Sequence, residues 1–148
     1  MDYFLNTYDY SLDDKNRINI PAKYRKALAQ MQQKTIVISC LEESHLTLYP
    51  NAIFQQKIVE RLNELPEMDE DANKVRRAVG LYTMEVEHDS QGRIMIPEDF
   101  LKQTGIKKKV KIIGLVSKME LWNPDTYQAL HKKQAPKSVK AELNKFRI

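Results

Sequence analysis

One pattern occurs twice in this chain and restricts the folds open to it. Asp13-Asp14-Lys15-Asn16-Arg17-Ile18-Asn19-Ile20-Pro21 lies over Asp89-Ser90-Gln91-Gly92-Arg93-Ile94-Met95-Ile96-Pro97 at a constant offset of 76 residues. Asp, Arg, both Ile and Pro coincide, where ordinary residue frequencies give about one chance identity over such a stretch. Lys26 matches Lys102, and Tyr24 lies over Phe100. Further on, Leu46-Thr47-Leu48-Tyr49 lies over Met119-Glu120-Leu121-Trp122 at an offset of 73, so the second copy is three residues shorter in its middle. The chain is two copies of a unit of about 45 residues, joined by an insert. The boundaries read as 7–53 for the first copy, 54–81 for the insert, 82–126 for the second copy and 127–148 for a basic tail, helical or disordered.

Each copy carries the same local signals. Tyr8, Tyr10 and Leu12 alternate with polar residues, as do Tyr82, Met84 and Val86, and period two predicts half-buried strands. A polar turn follows in each copy, with Asn16 or Gly92 where a positive φ is needed. Arg17–Ile20 and Arg93–Ile96 predict second strands. Pro21 and Pro97 end them and suit the first turn of a short helix, reaching about Leu28 in copy one and stopping at Gly105 in copy two. Two further strands are expected at Thr35 to Cys40 and Leu46 to Tyr49, and again at Val110 to Val116 and Met119 to Trp122. Asn123-Pro124-Asp125 reads as the start of another helix. In the insert, Phe54, Ile58, Leu62 and Leu65 recur at helical spacing, as do Ala72, Val75 and Val79 after Pro66.

The composition removes several function classes. At 148 residues, 42% hydrophobic and 30% charged, the profile is that of a soluble globular protein. No apolar run approaches the roughly 18 residues of a membrane span, and the first residues lack the basic and apolar regions of a signal peptide. A cytoplasmic protein with no membrane partner is expected. The lone Cys40 excludes an intrachain disulfide and a Cys-based zinc site, and reads as a buried, inert thiol. His45, His88 and His131 are far apart and show no metal-ligand spacing. With four glycines and no phosphate-loop or nucleophile-elbow motif, the sequence predicts no enzyme, no cofactor, no metal and no small-molecule substrate. The charge is zoned. Glu60–Asp71 holds six acids and one Arg, while Lys102, Lys107, Lys108, Lys109 and Lys111 share one stretch without an acid.

The Asp-x-x-x-Arg turn admits two readings. Asp13 and Asp89 would cap their turns through side chain-to-backbone bonds, with Arg17 and Arg93 as ion-pair partners. Alternatively the arginines contact a ligand. If Ile18 and Ile20 face the core, Arg17 and Asn19 face outward with Lys15 nearby on the turn. Lys, Arg and Asn are side chains that grip phosphates and read base edges. Copy two presents Gln91, Arg93 and Met95, a poorer nucleic-acid surface, around the turn glycine Gly92. Lys23, Arg25 and Lys26 on the following helix would be phosphate contacts or solvated charges. Lys132, Lys133, Lys137, Lys140, Lys145 and Arg147 make the tail an electrostatic arm or a solubilising segment.

At these residues the sequence resembles a known family. The doubled Asp-x-x-x-Arg motif, the helical insert, and the Leu-Tyr-Pro and Leu-Trp-Asn-Pro ends of the two copies are similar to the MraZ proteins, bacterial transcriptional regulators with two SpoVT-AbrB-like domains. The resemblance covers about residues 1–130. It implies an α+β fold, a double swapped-hairpin β barrel built from the two repeats, with flanking and inserted helices. It implies ring-shaped homo-oligomers on the nucleoid that bind tandem repeats in the promoter of the division and cell-wall gene cluster. It implies a DNA-contacting role for Arg17. Lys15 matches the family's basic position, Gln91 departs from it, and Asn16 replaces the commoner Gly.

A geometric expectation stands apart from the resemblance. The two copies should pair within one chain about a pseudo-two-fold axis, so chains can join head-to-tail and close into rings. Neighbours would then present the same hairpin in the same sense to direct repeats of double-stranded DNA, spaced near one helical turn. Two other readings remain at this point: an antitoxin-like module that binds a partner protein, and a structural ring protein.

Overall fold

The computed structural model describes residues 3–32, 35–131 and 136–148. Its first copy runs through β1 (Thr7–Ser11), β2 (Arg17–Asn19), α1 (Ala22–Gln30), β3 (Thr35–Ser39), β4 (His45–Pro50) and α2 (Asn51–Phe54). The insert continues as a π-helical stretch, Gln55–Val59, then α3 (Glu60–Glu64) and α4 (Glu70–Leu81). The second copy follows as β5 (Thr83–Glu87), β6 (Arg93–Met95), α5 (Glu98–Thr104), β7 (Lys109–Gly114), β8 (Met119–Trp122) and α6 (Pro124–Leu130). A 3-10 turn, Pro136–Val139, and α7 (Lys140–Lys145) form the described part of the tail. Lys132 and Lys133 lie outside the described residues.

The fold is mixed α+β and its strands pair antiparallel. A six-stranded sheet has the order β1-β7-β8-β4-β3-β5, with β1 and β5 as its open edges, and β2 pairs with β6 in a two-stranded ladder. The copies are therefore interleaved. Strand β1 of copy one lies on β7 of copy two, and β5 of copy two lies on β3 of copy one. Among the described residues the second strands pair only with each other, in the register Arg17↔Met95, Ile18↔Ile94, Asn19↔Arg93. Beyond the ladder, Ile20 N–H donates to the Gly92 carbonyl and Ile96 N–H to the Asn16 carbonyl, both at 2.9 Å. Each hairpin tip is thus bonded to the other copy's strand end.

The hydrophobic pattern explains this lock. Ile18, Ile20, Ile94 and Ile96 are each 1% exposed and meet in one core with Ile36, Ile38, Leu46, Leu48, Ile112 and Leu121. Burying a side chain of this size contributes roughly 1.5–3 kcal/mol, so the four motif isoleucines favour interleaving over two separate units. Cys40 is wholly buried in this core as expected, and burial pushes its thiol pKa up.

The caps follow the sequence closely, with adjustments. Pro21 and Pro97 occupy the residue before the helix rather than its first turn, and the Pro21 carbonyl accepts from Tyr24 and Arg25. Helix α1 runs two residues past Leu28. Asn123 caps α6 by accepting from Asp125 N–H, with Pro124 at its first position. Asp69 caps α4 through Ala72 N–H. In the insert, Arg76 donates to the carbonyls of Leu62, Leu65 and Pro66, tying α4 to the end of α3.

One expectation fails on burial. Tyr8 and Tyr10 pack against the core, and Tyr24, wholly buried, stacks edge-on with Phe4 and Tyr8. The alternating set of copy two, Tyr82, Met84 and Val86, is covered only in part. Tyr82 precedes β5 and is 41% exposed, and Met84 is 46% exposed; of that set only Val86 packs inward. Copy one has Phe4 bridged to Val116 as a cover, whereas the position 76 residues on is Gly80.

Two left-handed glycines separate conformational strain from crowding. Gly92 has φ +75° and Gly105 φ +70°. A Cβ on Gly92 would run into the Arg25 side chain, while one on Gly105 would meet nothing. Gly105→Ala should lower stability by about 1–2 kcal/mol, the cost of a left-handed L-residue. Gly92→Ala should cost more, because Arg25 must also move. Urea denaturation of the two variants checks the order, and equal losses would contradict it.

Candidate nucleic-acid interface

The two Asp-x-x-x-Arg hairpins have the same internal geometry. Asp13 Oδ1 accepts from the backbone N–H groups of Lys15 and Arg17, both at 2.9 Å. Its Oδ2 accepts from Arg17 Nε at 2.7 Å. Asp89 repeats this with Gln91 and Arg93 N–H at 2.9 Å and Arg93 Nε at 2.8 Å. Asn16 and Gly92 take the left-handed conformation that closes the turn, at φ 59° and 75°. The capping reading of Asp13 and Asp89 and the ion pairs to Arg17 and Arg93 are thus both realised.

The ion pairs leave the arginines partly available. In each, the carboxylate of the same turn engages Nε, the inner nitrogen, and the terminal nitrogens lie outside that pair. The Arg17 and Arg93 side chains are 28% and 22% exposed. Pairing of β2 with β6 puts them on one face. Ile18 and Ile94 point into the core, so Arg17, Asn19, Arg93 and Met95 point out together. Asp13 Oδ2 also lies 3.9 Å from Arg93 Nη1, linking the two motifs across the ladder.

The structure redistributes the helix cations. Arg25 reaches across to copy two. Its Nε donates to the Ile20 carbonyl at 3.1 Å, and its side chain packs on Gly92, the turn of copy two. Lys23 is exposed on a different side of α1, in a shallow groove with Tyr3, Lys26, Ala27 and Gln30. The turn of copy one instead lies beside copy two: Asn16 shares a groove of 450 Å³ with Glu98, Lys102 and Lys107. Sequence reasoning singled out the run from Lys102 to Lys111 as a charge zone but gave it no place in the site. Its acid-free composition was the signal, and only the interleaving of the copies brings it to Asn16.

A second polar cluster lies on the sheet. His45 Nε2 is 3.0 Å from Glu120 Oε2, its ring stacks on Trp122 at 4.4 Å, and Trp122 Nε1 donates to Glu120 Oε1. Burial pushes the Glu120 carboxyl up, but hydrogen bonds from His45 and Trp122 outweigh it, and its pKa lies below the ordinary value. His131 meets Trp122 edge-on, so two of the three histidines pack on one tryptophan. Among the described residues, no three His, Cys, Asp or Glu side chains gather as a metal site, and no helix is long and apolar enough to cross a membrane.

Fold and site together define a twin-motif α+β protein whose two hairpins make one polar face. Comparison with known proteins gives the family. The family model described as "MraZ protein, putative antitoxin-like" matches residues 3–78 and again 81–146. A protein of Leuconostoc mesenteroides named transcriptional regulator MraZ is 34% identical over 126 residues, covering 85% of each chain. Its namesake from Mycobacterium ulcerans is 34% identical over 131 residues, covering 86% of this chain and 88% of its own. That of Mycobacterium tuberculosis is 34% identical over 125 residues, covering 84% of each. This chain belongs to the MraZ family.

The turn carboxylates give the hairpins a pH dependence. Backbone hydrogen bonds from Arg17 and Arg93, helped by their side chains, hold Asp13 and Asp89 below the ordinary aspartate value, with desolvation opposing. A depressed folded pKa contributes stability that is fully present above the unfolded value, about pH 4, and is lost as pH falls through the folded one. Asp13→Asn should therefore be less stable than wild type at pH 7, and the gap should close below about pH 4. Urea midpoints across that range test it. A gap that persisted undiminished in acid would contradict the carboxylate's role.

Proposed function

We propose that this chain acts as a sequence-specific, double-stranded-DNA-binding transcriptional regulator, with the β2–β6 ladder as its contact element. It is a regulator of the MraZ family and not an enzyme. The observation that carries the reading is the shared outward face of Arg17, Asn19 and Arg93, with Lys15 at the neighbouring turn. A two-stranded ribbon fits the major groove, and Arg and Asn carry the donors and acceptors that recognise guanine and adenine there. Lys15 and Lys23 serve as phosphate contacts. Arg25 acts on the contact face through the Gly92 turn that it supports.

The interleaving of the two copies within one chain supports a double swapped-hairpin arrangement whose six-stranded sheet is open at β1 and β5, with repeats at 7–53 and 82–126, the insert at 54–81 and the tail at 127–148. Leu41, Leu81, Tyr82 and Met84, all left exposed, support self-association. A ring of chains would present successive ladders in one sense to direct repeats, as in the promoter of the protein's own division and cell-wall cluster. Weak single contacts would sum by avidity. The site of action is the cytoplasm, at the nucleoid.

The staple reading of Arg17 draws on its ion pair with Asp13 and is separable from DNA contact. Arg17→Ala should leave Asp13 bonded to two backbone N–H groups and leave the fold intact. Losing an Arg–guanine pair costs roughly 1–3 kcal/mol per box, multiplied over a ring. Arg93→Ala should do less, because Arg93 is also drawn towards Asp13. Fluorescence anisotropy on the protein's upstream DNA, with melting curves beside it, is the test. Unchanged affinity in Arg17→Ala at reduced stability would assign Arg17 to the turn alone.

A further inference from the structure

The outward face of the β2–β6 ladder is symmetric in its arginines and asymmetric in everything beside them. The local two-fold passes through the Ile18↔Ile94 pair. It exchanges Arg17 with Arg93, and each of these holds its own Asp at 2.7 or 2.8 Å. It also exchanges Asn19 with Met95, which are chemically unlike. Because the strands are antiparallel, each arginine has the other copy's residue directly opposite: Met95 faces Arg17, and Asn19 faces Arg93. Directly opposed side chains stand about 4.5–5.5 Å apart, close enough to address neighbouring base pairs.

Met95 is the residue that calls for explanation. It is 56% exposed on a three-residue strand whose next residue in each direction, Ile94 and Ile96, is fully buried. It contributes nothing to the core. In the major groove the one apolar feature is the thymine C5-methyl group, which takes apolar contacts, whereas adenine offers the donor and acceptor that Asn satisfies. A second asymmetry acts in the same sense. The Asp13 carboxylate lies 3.9 Å from Arg93 Nη1 as well as on Arg17, so the two ends of the face are held differently.

We propose that Met95 and Asn19 are the specificity-determining residues that give the box read by one chain a direction, with thymine beside the guanine at the Arg17–Met95 end and adenine beside the guanine at the Arg93–Asn19 end. This rests on the DNA-binding reading above. An undirected, self-complementary box would fit either orientation of the chain and could not fix the sense of neighbouring chains. A directed box can, and head-to-tail neighbours on direct repeats require it.

The test uses the full chain and a labelled duplex enriched by the wild-type protein from a random 30-base-pair library. Thymines are replaced one at a time by uracil, which deletes only the methyl group. Wild type should lose about fourfold in affinity at one thymine per box, the weight of one buried methyl. Met95→Ala should bind more weakly and be indifferent to that replacement, with unchanged melting because the side chain is exposed. Asn19→Ala should keep the uracil effect and lose its preference for adenine at the other end. Wild-type binding that ignores uracil everywhere, or Met95→Ala with full uracil sensitivity, overturns this assignment and leaves DNA binding standing. Failure of the wild-type chain to enrich any duplex overturns the DNA-binding reading itself.

Discussion

Strands of three residues do not persist alone. Arg17–Asn19 and Arg93–Met95 are each too short to be held by their own hairpin, and among the described residues their ladder partner is each other. That mutual pairing is what the rest of the molecule depends on. It seats Ile18 against Ile94 in the shared core, ties each turn to the other copy through Ile20 and Ile96, and sends β1 and β5 to opposite edges of the large sheet. Neither copy can bury its motif isoleucines without the other, so the sequence repeat is a packing requirement rather than a duplication of independent units.

The same constraint produces the polar face. Alternation on a strand turns Arg17, Asn19, Arg93 and Met95 outward as a consequence of turning the isoleucines inward. The aspartates then fix the direction of the arginines, by gripping the turn backbone with one oxygen and Nε with the other. A guanidinium held this way loses less side-chain freedom when its outer edge meets a planar acceptor pair, which is the geometry of arginine on guanine. On the proposed reading, stability of the turn and readiness for DNA come from one carboxylate.

Much of this was legible in the chain. The doubled motif announced two copies, the alternation named the strands, and Asn16, Gly92, Gly105 and Asn123 marked turns and caps where they occur. Cys40 was correctly placed in the core. What period two could not disclose was the partner of each strand, because an isoleucine's burial does not specify what covers it. The packing of Arg25 on the Gly92 turn of copy two was therefore not foreseen, and the lysines from Lys102 to Lys107 were not connected to Asn16. Burial of Tyr82 and Met84 was overestimated for a related reason: the pattern describes a face that can be covered, while the cover itself, Phe4 in copy one, has no match in copy two. The role of the arginines at DNA was inferred from chemistry and family resemblance, since an outward Arg beside an Asp serves a turn and a ligand equally well.

The central claim is that both motifs form one face and engage duplex DNA together. Side-chain Nε–H NMR signals of Arg17 and Arg93, assigned by substitution and followed while the upstream duplex is titrated in, test it most directly. Both signals should shift along a single binding curve, with the Met95 methyl following and the insert helices α3 and α4 unaffected. Shifts confined to the insert or the tail, with both arginine signals still at saturation, would contradict it.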